Sequence, residues 1–296
     1  MRTGKEEETV AEMVKKHYYC GNSKIHRHKL TLKLLATAAA ALLVTGTTAQ
    51  GWTKREHAAI ALIAEQNLSP KTLKAVTRIL EGRSISSYAS WLDYYRADMQ
   101  MKVTKPYKGK MTRSIPHAFQ VDAEMKAFSN PEMSCINVIE ESIAKLGNPE
   151  ALDDSTRLQC LLNVIHLVGD MHCPVHISYA DKRDRGIGGF KIGYRGEKYG
   201  FHKVWDGMIV SETFTGGVDD LARWAMTSDR KAVKSMLKGS LYDWGTEVAK
   251  ASAHIFDIES GTSVRDTYMY DNSAFVLSLL ERAGYRLAYV LNSIFG

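Results

Sequence analysis

The chain has 296 residues, 45% of them hydrophobic and 24% charged, with a formal net charge of +6. Cysteine is sparse, four in all and three after residue 51, an odd number that allows at most one internal disulfide there and so excludes a disulfide scaffold. The first 51 residues hold 8 Lys and Arg against 4 Asp and Glu, so the remainder carries only about +2. The apparent basicity is therefore no footprint for nucleic acid.

Residues 1–51 read as a leader. Lys24, Arg27, Lys29 and Lys33 run into an apolar stretch, Leu34 to Val44, which ends in small and polar residues at Ala49-Gln50-Gly51. The apolar stretch is too short to cross a bilayer, and Ala49 and Gly51 suit signal-peptidase cleavage ahead of Trp52. The 33 residues before Leu34 are long for a signal peptide, as a start codon assigned too far upstream would leave them. The expectation is a leader at 1–51 and one domain at 52–296. The mature protein would be exported, periplasmic or secreted, with no stable membrane association after cleavage.

From Trp52 onward the pattern is helical. Thr53 and Glu56 form a T-x-x-E capping box before the apolar run Ala58 to Ile63, placing His57 in the first turn. Ser69-Pro70 opens a second helix, with Leu73, Val76, Ile79 and Leu80 on one side and Gly82 as its stop. Ser84 to Met99 reads as a third helix and contains ASWLDYYR, with Asp93 among aromatics. Residues 101–123 read as loop, with His117 after Pro116. Asn130-Pro131 starts a helix that runs to Gly147, and Ser155 caps the next.

The apolar face of that next helix, Leu158, Leu161, Leu162, Ile165 and Val168, sets His166 and Asp170 at its margin. Cys160 reads as a small core residue. Six glycines then break the rhythm, and FKIGYRGEKYGFH reads as a short β-hairpin. Helices at 219–227, 231–238, 242–258 and 273–295 complete the chain. With no repeat and no linker, one all-α domain is the economical reading.

Chemistry concentrates in HLVGDMHCPVH, His166 to His176. His166 and Asp170 stand four residues apart, so a helix projects both from one face, and His176 follows the Pro174 break. HKVWD repeats the spacing with His202 and Asp206. One His/Asp pair is commonplace at a polar helix end. Two pairs plus His176, with few thiols, suit zinc in a hydrolytic site better than in a structural one.

W-x4-H at Trp52 and His57, ASWxD at Asp93, HLVGDMHxPxH, a GG turn, HxxWD and the C-terminal GYRLAYVLNSI occur in this order. Together they resemble the S1/P1 family of single-strand-specific zinc nucleases over essentially Trp52 to Gly296. The resemblance implies an all-α fold of the phospholipase C and single-strand nuclease type, holding three zinc ions. By similarity, Asp93, His117, His166 and Asp170 would bind one ion. His57, a bridging Asp170, and the α-amino nitrogen and carbonyl oxygen of Trp52 would bind a second. His176, His202 and Asp206 would bind the third.

The family's chemistry would be endonucleolytic hydrolysis of single-stranded DNA and RNA to 5′-phosphate products, with 3′-nucleotidase activity. Asp170 would share two metals and Asp93 would orient the nucleophile, so both are the candidate catalytic residues. The partners implied are single-stranded nucleic acid or nucleotides, and no protein partner. A planar amide at Trp52 binds zinc poorly, so removing the leader would complete the site.

Two departures stand out. His117-Ala-Phe-Gln-Val-Asp122 has two additional residues before its aspartate, which leaves open whether Phe119 stacks on a base; and Phe190 follows the GG turn where asparagine is common. His172 reads as turned away from the ligands, His254 as structural, and Trp91 and Trp205 as packing beside ligands. Arg96 reads as either a phosphate contact or an ordinary exposed arginine. Two other functions compete with the nuclease. A zinc-dependent phospholipase C is disfavoured by the five-residue step from Trp52 to His57 and by aspartate at 206. A non-catalytic zinc-binding protein is disfavoured by retention of the bridging Asp170.

Overall fold

The computed structural model describes residues 52–96, 115–183 and 189–296, and of 94–96 the backbone alone. The leader, residues 97–114 with the end of the expected third helix, the Arg96 side chain and residues 184–188 lie outside the described residues.

Helices dominate, as the all-α expectation has it. α1 (Lys54–Gln66) buries Ala58, Ala59, Ile60, Ala61, Ile63 and Ala64, and small side chains on almost every side let neighbours close around it. The Thr53 hydroxyl meets the Glu56 carboxylate at its N-terminus. α2 (Pro70–Ile79) starts where the Ser69 hydroxyl accepts from the Thr72 amide, with proline in the first turn where no N–H is needed. The expected helix from Ser84 is instead a 3₁₀ turn (Ile85–Ser87) followed by a short α3 (Trp91–Arg96).

α4 (Cys135–Leu146) begins after Ser134, not at Asn130, and packs against α5 (Asp154–Asp170). α5 is capped by Asp153 rather than Ser155, its carboxylate accepting from the Thr156 amide at 3.0 Å. From Cys160 to Asp170 every residue of α5 is buried, so His166 and Asp170 lie in the interior and not at a margin. α11 (Asp266–Phe295), longer than the expected 273–295, packs on α1, α2 and α5. A β-carbon on Gly284 would lie 2.5 Å from Ile63, so glycine permits that α1 contact.

Two small sheets interrupt the helices. β1 (Phe119–Val121), inside the expected loop, pairs in parallel with β2 (Ile177–Tyr179), Phe119 opposite Ile177. β3 (Lys191–Tyr194) and β4 (Glu197–Gly200) form the expected hairpin. Its turn residues Arg195 and Gly196 both have positive φ, 48° and 84°, as a two-residue hairpin requires. β5 (Ser263–Val264) adds to β3 in parallel. After β4, α6 (Phe201–Lys203) passes through a π-helical turn (Val204–Met208) into α7 (Ile209–Thr213). α8 (Val218–Ala225), α9 (Arg230–Met236) and α10 (Leu241–Ser252) lead to α11. Among the described residues no helix is long and apolar enough to cross a membrane.

Candidate metal centre

The C-terminal end of α5 brings His166 and Asp170 into the core, and other elements close on them. α1 contributes His57, whose Nε2 lies 3.3 Å from Asp170 Oδ1, and α3 contributes Asp93, whose Oδ1 is 3.6 Å from His166 Nε2. Gly169 makes room for the first of these: a β-carbon there would lie 2.9 Å from His57 Nδ1. The β1–β2 pairing delivers two histidines together, because His117 precedes β1 and His176 immediately precedes β2. His117 Nδ1 sits 2.7 Å from Asp170 Oδ2, and His176 Nδ1 donates to the His117 carbonyl at 3.0 Å.

The π-helical turn carries Asp206, and its Oδ2 lies 3.4 Å from His202 Nε2. π turns recur at functional sites, where one extra residue re-aims a side chain. The His176 and His202 rings are 5.2 Å apart. Trp52 is buried beside the cluster, its indole N–H donating to the Gly169 carbonyl at 3.1 Å. The next amide, of Thr53, donates to the Asp206 carbonyl at 3.0 Å, so the residue pair 52–53 bridges the end of α5 and the π turn.

The donor atoms have the pattern of a cation site. His57 Nδ1 and Nε2, Asp93 Oδ1, His117 Nε2 and Asp170 Oδ1 are buried without a hydrogen-bond partner. Such atoms cost about 1–3 kcal/mol each if left so, and more when charged. His166 Nδ1 faces the Ala89 carbonyl at 2.8 Å; donating its proton there leaves Nε2 to offer a lone pair toward His117, Asp93 and Asp170. Among the described residues, ligand-capable atoms lie within 4.8 Å of one another in each of three buried groups: His57, His166 and Asp170; Asp93, His117 and His166; and Cys173, His176 and Asp206. Imidazoles and carboxylates in such sets fit zinc.

Electrostatics are correspondingly strained. Burial alone would raise the Asp170 carboxyl, but the imidazoles of His166, His176 and His117 outweigh it and hold the group well below the usual carboxylate range. Burial likewise opposes protonation of His166, yet the Asp170 and Asp93 charges push it up to about 9. Burial pulls His176 down to about 3 and, with the neighbouring His166, lowers His57. Burial also raises Asp93 and Asp206.

The family model described as S1/P1 Nuclease matches residues 52–296. The chain belongs to the S1/P1 nuclease family. It is 25% identical over 279 residues to Endonuclease 2 of Arabidopsis thaliana, covering 86% of this chain and 94% of that one. It is 25% identical over 299 residues to Nuclease S1 of Aspergillus oryzae, covering 88% and 98%. Nuclease P1 of Penicillium citrinum is 29% identical over 198 residues, 60% of this chain and 65% of that one.

For this S1/P1 family member the two departures have structural answers. Phe119 is fully buried in β1 under Gly245, so it offers no face to a base. Phe190 is also buried, its ring centroid 4.2 Å from that of Phe201. His172 is a buried structural residue: its ring faces the Val168 carbonyl at 2.8 Å and Arg286 Nη1 at 3.0 Å. His254 is exposed and meets Phe275 edge-on. Trp91 and Trp205 are buried packing residues. Two further residues touch the cluster, Gly169 against the His57 ring and Cys173 against Asp206. The Cys-Pro-Val-His spacing, a thiol three residues before His176, was the available signal for the second.

Proposed function

We propose that residues 52–296 form an exported zinc-dependent endonuclease that hydrolyses single-stranded DNA and RNA to 5′-phosphate products and also acts as a 3′-nucleotidase. In this reading residues 1–51 are a leader removed on export, and three zinc ions are held. Asp93, His117, His166 and Asp170 hold one. Asp170, His57 and the freed terminus of Trp52 hold the second. His176, His202 and Asp206 hold the third. The single observation that carries the reading is the convergence of buried, unpartnered nitrogen and oxygen atoms around Asp170 in a chain of this family.

Bound zinc supplies Lewis-acid activation of water and of phosphoryl oxygens near neutral pH. The protein supplies everything that places it. Asp170 offers one oxygen toward His57 and the other toward His117 and His166, so one carboxylate serves two neighbouring positions. Asp93, beside both, accepts a hydrogen bond from the attacking water and orients it toward the phosphorus. His176 is held by the His117 carbonyl at 3.0 Å, and Asp206, on the π turn, lies 3.4 Å from His202. A cluster this recessed admits an unpaired strand more readily than a stacked duplex.

The test is hydrolysis by the purified mature protein, with and without a chelator. Cleavage of denatured DNA and 3′-AMP that is lost on chelation and restored by zinc is the expected result. Hydrolysis of phosphatidylcholine but not of denatured DNA would overturn it in favour of a phospholipase. Zinc binding without phosphoester hydrolysis would overturn it in favour of a sequestering protein.

A further inference from the structure

Cys173 lies in the turn between α5 and β2, where its amide donates to the Asp170 carbonyl at 2.9 Å and its own carbonyl accepts from the His176 amide at 3.0 Å. This winding turns the thiol inward, where it is fully buried, and its S–H donates to Asp206 Oδ1 at 3.4 Å. With His176 and Asp206 it forms one of the three groups whose ligand-capable atoms lie within 4.8 Å of one another. Among the described residues, neither Cys135 nor Cys160, the other two free thiols there, belongs to such a group. A cysteine used only for packing would face apolar neighbours; this one faces a carboxylate and an imidazole. The His176 ring adds a second pointer: with Nδ1 donating to the His117 carbonyl, its Nε2 keeps a lone pair to offer.

The spacing fits a shared cation. Zinc–sulfur and zinc–oxygen bonds of about 2.3 and 2.0–2.2 Å at a tetrahedral angle put sulfur and oxygen roughly 3.5–3.7 Å apart. The observed 3.4 Å between Cys173 Sγ and Asp206 Oδ1 is close to that edge.

We propose that Cys173 is a fourth protein ligand of the metal ion held by His176, His202 and Asp206. This rests on the zinc-nuclease reading above and sharpens it: one position is Cys/His/His/Asp, and the other two are free of sulfur. Coordination breaks the S–H bond, forms the sulfur–metal bond and sends one proton to solvent. Four protein ligands close the tetrahedron, and a thiolate makes the ion a weaker Lewis acid with a preference for softer cations.

Cobalt tests this, because a thiolate bound to cobalt(II) absorbs in the near ultraviolet by sulfur-to-metal charge transfer and imidazole and carboxylate ligands do not. The zinc of the mature protein is exchanged for cobalt by dialysis, and bound cobalt is measured alongside the spectrum. A charge-transfer band is expected in the parent, lost in Cys173→Ser and kept in the Cys135→Ser/Cys160→Ser double variant. The double variant decides the matter even where Cys173→Ser fails to fold. Bound cobalt without the band, or a band that survives in Cys173→Ser, would overturn the assignment while leaving the zinc-nuclease reading intact. Absence of bound cobalt would overturn both.

Discussion

Gly169 and Asp170, adjacent at the end of α5, do different work for the same neighbour. Asp170 draws His57 to 3.3 Å, and Gly169 lets the ring come that close. Gly169→Ala puts a methyl group 2.9 Å from His57 Nδ1, so the imidazole must shift. The expected result is a loss of zinc affinity and activity of about 10–100-fold, with roughly 1–3 kcal/mol of stability. Metal titration and denaturant unfolding of the variant check it. Glu56 is a second residue with a legible consequence. Burial raises its carboxyl from 4.5 to about 8. Its folded pKa exceeds its unfolded one, so its contribution to stability is fully present below about 4.5, falls as pH rises, and levels off above about 8. Glu56→Gln removes that dependence and stabilises the protein at pH 8–9 relative to the parent by a few kcal/mol. Melting temperatures of the two proteins, compared from pH 5 to pH 9, should diverge with rising pH.

At the scale of elements, the site is an agreement among segments distant in sequence. α5 supplies the strut, α1 and α3 lean on it, and the parallel β1–β2 pair presents His117 and His176 side by side. From the far side, α11 sends Arg286 into the core. Its guanidinium meets His172 Nε2 at 3.0 Å, donates to the Met236 carbonyl and pairs with Glu247. His172 thus ties the turn after α5 to the last helix. Arg286→Met leaves the buried His172 nitrogen without its donor and is expected to cost about 2–4 kcal/mol in urea unfolding. The pairs His166/Asp170 and His202/Asp206 were legible in the sequence because helical spacing alone sets two residues four apart on one face. The β1–β2 pair was not, because three-residue strands paired across 58 positions leave no local pattern. The break between Ile85–Ser87 and α3 was hidden for a related reason: tertiary packing overrode a sequence that reads as continuous helix. The π turn under Asp206 has no sequence signature, and the role of Cys173 depends on Asp206, 33 residues away.

For the molecule as a whole, the first described residues lie beside the chemical centre. Trp52 is buried beneath the Gly169 carbonyl, and Thr53 is hydrogen-bonded to Asp206, so a terminus freed at Trp52 would arise beside the proposed metal ligands. An amine binds zinc and an amide hardly does, so a form that retains residues ahead of Trp52 is expected to bind less zinc and be nearly inactive. N-terminal sequencing paired with specific activity of the two forms checks this, and equal activity would count against it. The most direct measurement of the central claim is the zinc content of the purified mature protein and of its Asp170→Asn variant, by elemental mass spectrometry, alongside hydrolysis of denatured DNA. The account predicts about three zinc ions per parent chain, fewer in the variant, and a loss of activity of more than about 100-fold. Full activity in Asp170→Asn, or a parent protein that cleaves denatured DNA without bound zinc, would contradict it.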